Sequence, residues 1–249
     1  MYAYRWTDLH GMIGMPGFRL GLLYVLCIAA YLAYWFAVEH EQVHAWFQRR
    51  YGPAWRRRLF VSNKLWGSLL FSLVLFASLV LFPGYRGATP GLSITREALI
   101  PTLLWSLGLI PLAAVITGLQ NRKLFRQGKL PTRYPEAGAD GWNRRSLVIH
   151  IVFWSIYLTA YEIVFRGVLL IIPATMTGPW AAVGMNVALY SAVHMPKGAQ
   201  EASGALVLGT LLCLVTLTTG NVYTAVSVHI ALAVSNGLWA KVVHDRMAV

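Results

Sequence analysis

The chain has 249 residues, of which 57% are hydrophobic and only 12% are charged, and its formal net charge is +12. A soluble domain of this length needs more polar surface, so the composition excludes an ordinary soluble protein and indicates an integral membrane protein. No repeat or low-complexity tract interrupts the sequence, and we expect a single membrane domain over residues 1–249.

Apolar stretches follow one another along the whole chain, each near the roughly 20 residues that a helix needs to cross a bilayer. They cover residues 20–38, 65–82, 98–119, 146–172, 179–195, 204–219 and 222–243. The sequence therefore predicts an all-α fold, a polytopic transmembrane helical bundle of about seven spans.

Lysine and arginine concentrate in two of the connections, which lie between the first and second spans and between the third and fourth. The basic residues there are Arg49, Arg50, Arg56, Arg57, Arg58 and Lys64, then Arg122, Lys123, Arg126, Lys129, Arg133, Arg144 and Arg145. By the positive-inside rule, this alternation predicts an N-terminus outside and a C-terminus inside. We expect the charge to contact the lipid bilayer rather than nucleic acid, because no nucleic-acid-binding pattern accompanies it.

Glu162 and Arg166 lie within the apolar stretch LTAYEIVFRGVLLIIP, residues 158–173. Residues four apart share one face of a helix, so we expect these two side chains to contact each other. An ionised group in hydrocarbon is costly unless it is paired or faces water. The pair therefore indicates either an ion pair that fixes helix packing or part of a functional interior.

Two histidines in later spans, His194 and His229, are possible partners of Glu162. A carboxylate can take a proton from water and return it later, while imidazoles hold the water or donate hydrogen bonds to an oxyanion. This set predicts hydrolysis of a peptide bond inside the membrane. With straight helices His194 falls nearer the inner face than the other two, so the prediction requires a helix break near Gly178 and Pro179.

The stretches YEIVFRG, YSAVH and VHIALAVSN follow in that order from residue 146 onward. In order and spacing they resemble the three motifs of the CAAX-processing and bacteriocin-immunity (CPBP, or Abi) intramembrane proteases. The resemblance implies an all-helical hydrolase of the bacterial cytoplasmic membrane, with its catalytic core over residues 146–249. It also implies that glutamate and histidine activate water, while a second histidine and an amide stabilise the tetrahedral intermediate.

The match to these motifs is incomplete at two positions. The residues that do match are Glu162, Arg166, Tyr190, His194 and His229. Tyr161 stands where the first glutamate of the family is expected. A phenol, with an ordinary pKa of about 10, cannot replace a carboxylate as the base that activates water. We expect Tyr161 to orient water or to donate to an oxyanion. Ala233 replaces the expected Asn or Asp, and Asn236, on nearly the same helix face, is predicted to substitute for it.

Other polar or polarisable side chains of the spans are expected to serve packing alone. Asn186 and Asn236 are predicted to form interhelical hydrogen bonds, which for Asn236 is the alternative to replacing the missing amide. Cys27 and Cys213 are predicted to be small buried side chains.

A competing motif lies at His40, Glu41 and His44, in the H-E-x-x-H order of zinc peptidases. No third ligand follows at the expected spacing, so we favour the alternative that residues 39–64 form a basic, amphipathic segment at the membrane interface. We therefore expect no cofactor, with a divalent metal ion as the alternative.

Taken together, the residues and the resemblance predict an intramembrane endopeptidase of the CAAX-protease or Abi type. Its substrate would be a membrane-associated protein or peptide, hydrolysed near one end by water that glutamate and histidine activate. The main alternative is a non-catalytic CPBP-like membrane scaffold or immunity protein, which Tyr161 and Ala233 favour. A transporter or lipid-handling subunit is a third and weaker hypothesis.

Overall fold

The computed structural model describes residues 15–85, 90–128 and 143–247, which form helices joined by short turns, with no β-strand among them. The helices are α1 Pro16–Glu39, α2 Glu41–Tyr51, α3 Trp55–Leu81, α4 Arg96–Arg126, α5 Arg144–Glu162, α6 Ile172–Thr177, α7 Pro179–Ala192, α8 Ala199–Thr219 and α9 Tyr223–Met247. A π-helical segment, Ile163–Ile171, joins α5 to α6. Lys129 and Arg133 of the second basic connection lie outside the described residues.

Six helical stretches in the described part of the chain are long and apolar enough to cross a membrane. They are Pro16–Ala37, Glu41–Leu81, Arg96–Arg126, Arg144–Thr177, Ala199–Thr219 and Tyr223–Val243. The predicted all-α transmembrane bundle is therefore confirmed, and the chain is an integral membrane protein. The orientation of its termini stays a prediction.

The count differs from the expected seven at residues 179–195. The helix there, α7, has 14 residues, or about 21 Å at 1.5 Å per residue, which is less than the roughly 30 Å of a hydrocarbon core. Gly178 before it has φ +86°, a backbone conformation that favours glycine. The predicted break at Gly178 and Pro179 is confirmed. The hydroxyl of Tyr31, near the middle of α1, donates to the carbonyl of Val193. His194, the next residue, therefore lies beside the middle of α1 and not beside one of its ends.

Helices α4 and α9 run parallel and are joined by a ladder of polar side chains. Asn221 Nδ2 donates to Thr102 Oγ1 over 2.8 Å near the start of both helices. Further along, the hydroxyls of Thr117 and Ser235 are 2.9 Å apart. Because both helices advance in the same direction, their C-terminal ends come together at one end of the bundle, which we call the Arg126 end.

Aromatic side chains from α1, α3 and α5 form the largest core of the described residues. The rings of Tyr34 and Tyr157 stack with centroids 5.3 Å apart, and those of Phe71 and Tyr161 meet edge to face at 5.1 Å. Gly67 allows this approach, since a Cβ there would lie 2.5 Å from the Tyr157 ring. This packing holds α5 at the centre of the bundle, where it presents Tyr161 and Glu162 to α9.

Candidate active site

The site is built around the junction between α5 and the π-helical segment. Glu162 is the last residue of α5, and Arg166 lies within the nine-residue π-helical segment that follows. Both side chains are fully buried, and Arg166 Nε donates to Glu162 Oε2 over 3.0 Å. The predicted ion pair is therefore present. Its place beside a π-helical segment is notable because wide helical turns of this kind occur frequently at functional sites.

His229 of α9 completes the environment of the carboxylate. Its Nδ1 lies 2.5 Å from Glu162 Oε1, so each oxygen of Glu162 has its own partner. Glu162 is thus in direct contact with both Arg166 and His229, although His229 comes from a distant part of the sequence. His229 itself is 9% exposed, which leaves one edge of its ring close to the boundary of the packed interior.

Asn186 of α7 links Arg166 to the backbone of the π-helical segment. Arg166 Nη1 donates to Asn186 Oδ1 over 2.5 Å and also contacts Cys213 Sγ at 3.1 Å. Asn186 Nδ2 donates to the carbonyls of Phe165 and Leu169 over 2.6 and 3.2 Å. Asn186 is therefore a member of the site, and the expectation that it serves packing alone is incomplete. The signal in the sequence is its spacing, since residues 186, 190 and 194 share one helix face.

Tyr190 of α7 and His194, in the turn just after that helix, lie between Asn186 and His229. The guanidinium carbon of Arg166 lies 4.5 Å from the centre of the Tyr190 ring. The Tyr190 and His194 rings are 4.7 Å apart, and the Tyr190 and His229 rings are 6.3 Å apart. His194 Nδ1 lies 2.7 Å from the Tyr190 carbonyl, which can only accept. A neutral His194 therefore carries its proton on Nδ1 and leaves Nε2 as an acceptor.

Tyr161, at the position of the missing glutamate, faces the same region. Its ring centroid is 5.6 Å from that of His229, with the two rings nearly perpendicular. The phenol oxygen is buried and has no hydrogen-bond partner among the residues that the structure describes, and the same holds for Arg166 Nη2. Buried donors are rarely left unpaired, so these two groups indicate where a water molecule or a substrate oxygen would bind.

The two residues of the altered third motif are placed differently from each other. Ala233 is buried in the aromatic core. Asn236 Oδ1 accepts a hydrogen bond of 2.8 Å from Asn121 Nδ2, which extends the polar ladder between α4 and α9. Asn236 thus contacts α4, and its role as a substitute for the missing amide stays a prediction.

The H-E-x-x-H motif is divided by a helix boundary. His40 is the N-cap residue of α2, where its Nδ1 accepts from the backbone N–H of Gln42 over 3.2 Å, and His44 packs near Trp55. Among residues 15–85, 90–128 and 143–247, no group of three or more His, Cys, Asp or Glu side chains is arranged to hold a metal ion. The expectation of an interfacial segment over residues 39–64 and the question of metal dependence both stay predictions.

Comparison with known proteins bears on the region that carries this geometry. No curated protein and no solved structure matches the chain. Residues 142–235 match one family model, described as Type II CAAX prenyl endopeptidase Rce1-like. The match covers less than half of the chain, yet it contains Glu162, Arg166, Asn186, His194 and His229. The resemblance to the CAAX-type intramembrane proteases is therefore confirmed over residues 142–235, which are similar to the Rce1-like family.

Proposed function

We propose that the protein is an intramembrane endopeptidase that hydrolyses a peptide bond near one end of a membrane-associated protein or peptide. The family of residues 142–235 is a family of membrane proteases, which supports the general class. The observation that carries the proposal is the contact of 2.5 Å between His229 Nδ1 and Glu162 Oε1, in the interior of a membrane protein.

That contact supports different roles for the histidine and the glutamate. When Nδ1 of a neutral His229 donates its proton to Glu162, Nε2 keeps a lone pair and is free to act as a base. Both oxygens of Glu162 already have partners in His229 and Arg166. We therefore assign water activation to His229, with Glu162 holding the imidazole in one tautomer and stabilising its charged form. This assignment replaces the expectation that Glu162 takes the proton itself.

The remaining groups suit the later stages of hydrolysis. His229 Nε2 takes a proton from water, the resulting hydroxide attacks the peptide carbonyl, and the same proton passes to the leaving amine. Nε2 of neutral His194 can accept a hydrogen bond from the attacking water. The hydroxyl of Tyr161, which has no partner among the described residues, can donate to the oxyanion of the tetrahedral intermediate. Arg166 keeps Glu162 ionised, because a buried carboxylate is stabilised by an adjacent cation.

The proposal is tested by comparing the termini of membrane proteins in host cells that lack this protein. The cells are complemented with wild type, Glu162→Gln, His229→Gln or the control Glu201→Gln at matched expression. Glu201 is an exposed glutamate at the start of α8, so its substitution makes the same chemical change away from the site. We expect new termini with wild type and the control only. Identical termini in all four strains would overturn the proposal.

A non-catalytic scaffold or immunity protein is the second candidate, and the replacement of the first glutamate of the family by Tyr161 favours it. A scaffold needs the buried pair of Glu162 and Arg166 for packing but needs no base. In that case a tagged wild-type chain would capture a membrane peptide intact, and Glu162→Gln would lower the amount of folded protein without changing any terminus.

A further inference from the structure

A groove opens between the C-terminal halves of α4 and α9, at the Arg126 end of the bundle and away from the candidate active site. Its volume is about 620 Å³, a size typical of small-molecule sites, which span roughly 300 to 1,000 Å³. The described residues that line it are Ala114, Val115, Gly118, Leu119, Arg122, Phe125, Arg126, Trp239, Val242, Val243 and Arg246. These are apolar side chains and three arginines, with no acidic side chain among them.

The arginines come from both helices and meet at one groove because α4 and α9 run parallel. Arg122 and Arg126 belong to the end of α4, and Arg246 belongs to the last turn of α9. A cation near a helix C-terminus is stabilised by the helix dipole, which would account for each arginine singly. The dipole does not account for three guanidinium groups lining one cavity, where their mutual repulsion favours a bound anion.

The rest of the groove is shaped for an apolar group. Gly118 has no side chain where Trp239 approaches, and a Cβ there would lie 2.9 Å from Cε2 of the indole. The indole can therefore lie against α4 and form one wall, with Val115 and Leu119 exposed beside it. Tryptophan is enriched at the boundary between the hydrocarbon core and the head groups of a membrane. Trp239 lies at the arginine-bearing end of the bundle, which agrees with a position at that boundary.

We propose that this groove binds one anionic glycerophospholipid. Guanidinium groups bind phosphate through paired, charge-assisted hydrogen bonds, so Arg122, Arg126 and Arg246 would hold the head group. The apolar walls would hold the upper part of an acyl chain. Basic pockets between transmembrane helices bind anionic lipids in this way, and the charge distribution predicts that the Arg126 end faces the inner leaflet.

The test measures lipid retention by native mass spectrometry on the full chain, delipidated in mild detergent and mixed with phosphatidylglycerol or phosphatidylcholine. The test variant is Arg122→Gln/Arg126→Gln/Arg246→Gln. The matched control, Arg56→Gln/Arg57→Gln/Arg58→Gln, removes the same charge from the start of α3. Each basic residue near a membrane surface changes affinity about five-fold, so we expect the test variant to lose affinity for phosphatidylglycerol about a hundred-fold. The control variant should keep the wild-type affinity for phosphatidylglycerol, and the affinity of the test variant for phosphatidylcholine should equal that of wild type.

A second variant keeps the charges and fills the groove. Val115→Trp should weaken binding of phosphatidylglycerol while the guanidinium groups remain, and it also guards against a triple variant that fails to fold. An equal loss in the control variant would overturn the proposal, since it would show attraction by total charge. Unchanged binding by Val115→Trp, or full displacement of the lipid by excess inorganic phosphate, would also overturn it, since the site would then take the anion alone.

Discussion

Asn186 gives the sharpest test of how the site is held together. It accepts hydrogen bonds from Arg166 and, more weakly, from the Cys213 thiol, and it donates to the carbonyls of Phe165 and Leu169. Asn186→Ala therefore removes four hydrogen bonds at once, of which the one from the thiol contributes least. A bond to a charged group contributes roughly 1.5 to 3 kcal/mol and a neutral bond in a membrane protein roughly 0.6 to 1 kcal/mol. We therefore expect Asn186→Ala to lower the free energy of unfolding by about 3 to 5 kcal/mol.

A companion variant gives the cost of losing a single neutral hydrogen bond. Asn236→Ala removes one neutral hydrogen bond to Asn121, in the polar ladder between α4 and α9, and should cost about 1 kcal/mol.

The measurement is equilibrium unfolding of the purified chain in mixed micelles, titrated with sodium dodecyl sulfate and followed by far-ultraviolet circular dichroism. The expected order of stability is wild type, then Asn236→Ala, then Asn186→Ala. If Asn186→Ala costs no more than Asn236→Ala, Asn186 does not hold Arg166 and the π-helical segment together.

Three further predictions follow from single contacts. Tyr161→Phe removes a buried hydroxyl that has no partner among the described residues, so thermal stability should be unchanged or slightly higher. The rate of peptide hydrolysis should fall about 100-fold, because the variant loses a donor to the oxyanion. An unchanged rate would remove Tyr161 from the mechanism. Gly67→Ala places a Cβ 2.5 Å from the Tyr157 ring and should cost about 1 to 3 kcal/mol in the same unfolding titration, whereas no cost would mean that α3 and α5 are packed less closely. His44→Ala should leave hydrolysis unchanged with and without a chelator, because His40 caps α2 instead of facing His44 across a turn; a loss of activity would revive the zinc-peptidase hypothesis.

Much of the fold follows from hydrophobicity alone, because the bilayer imposes a length and an apolar composition on every span. The contact between Glu162 and Arg166 was equally predictable, since a spacing of four residues fixes it on any helix. The approach of His229 to Glu162 was predictable in a weaker sense. Polar groups in hydrocarbon are stabilised when they pair with one another. The sequence of α9, however, does not determine which of its faces packs against α5.

Two features of the site are not specified by hydropathy. The π-helical segment has an apolar sequence that also suits an ordinary α-helix, and two of its carbonyls, those of Phe165 and Leu169, accept hydrogen bonds from Asn186 of another helix. The short length of α7 is set by Gly178 and by the turn at Val193 and His194, whereas hydropathy continues smoothly across residues 179–195. A hydropathy window therefore finds a seventh span there, although the helix is too short for one.

The departure of Tyr161 from the family pattern can be understood from what surrounds Glu162. Arg166 and His229 satisfy both oxygens of that carboxylate, and Asn186 accepts from Nη1 of Arg166, so the buried Glu162 carboxylate is paired without any group at position 161. Position 161 is therefore free to change without the energetic penalty that an unpaired buried charge would impose on the fold. A substitution at Glu162 should lower both the stability of the protein and the rate of hydrolysis, whereas one at position 161 should lower the rate of hydrolysis alone. Stability and hydrolysis measured on the same variants are consequently the pair of observations that separates an altered protease from a scaffold.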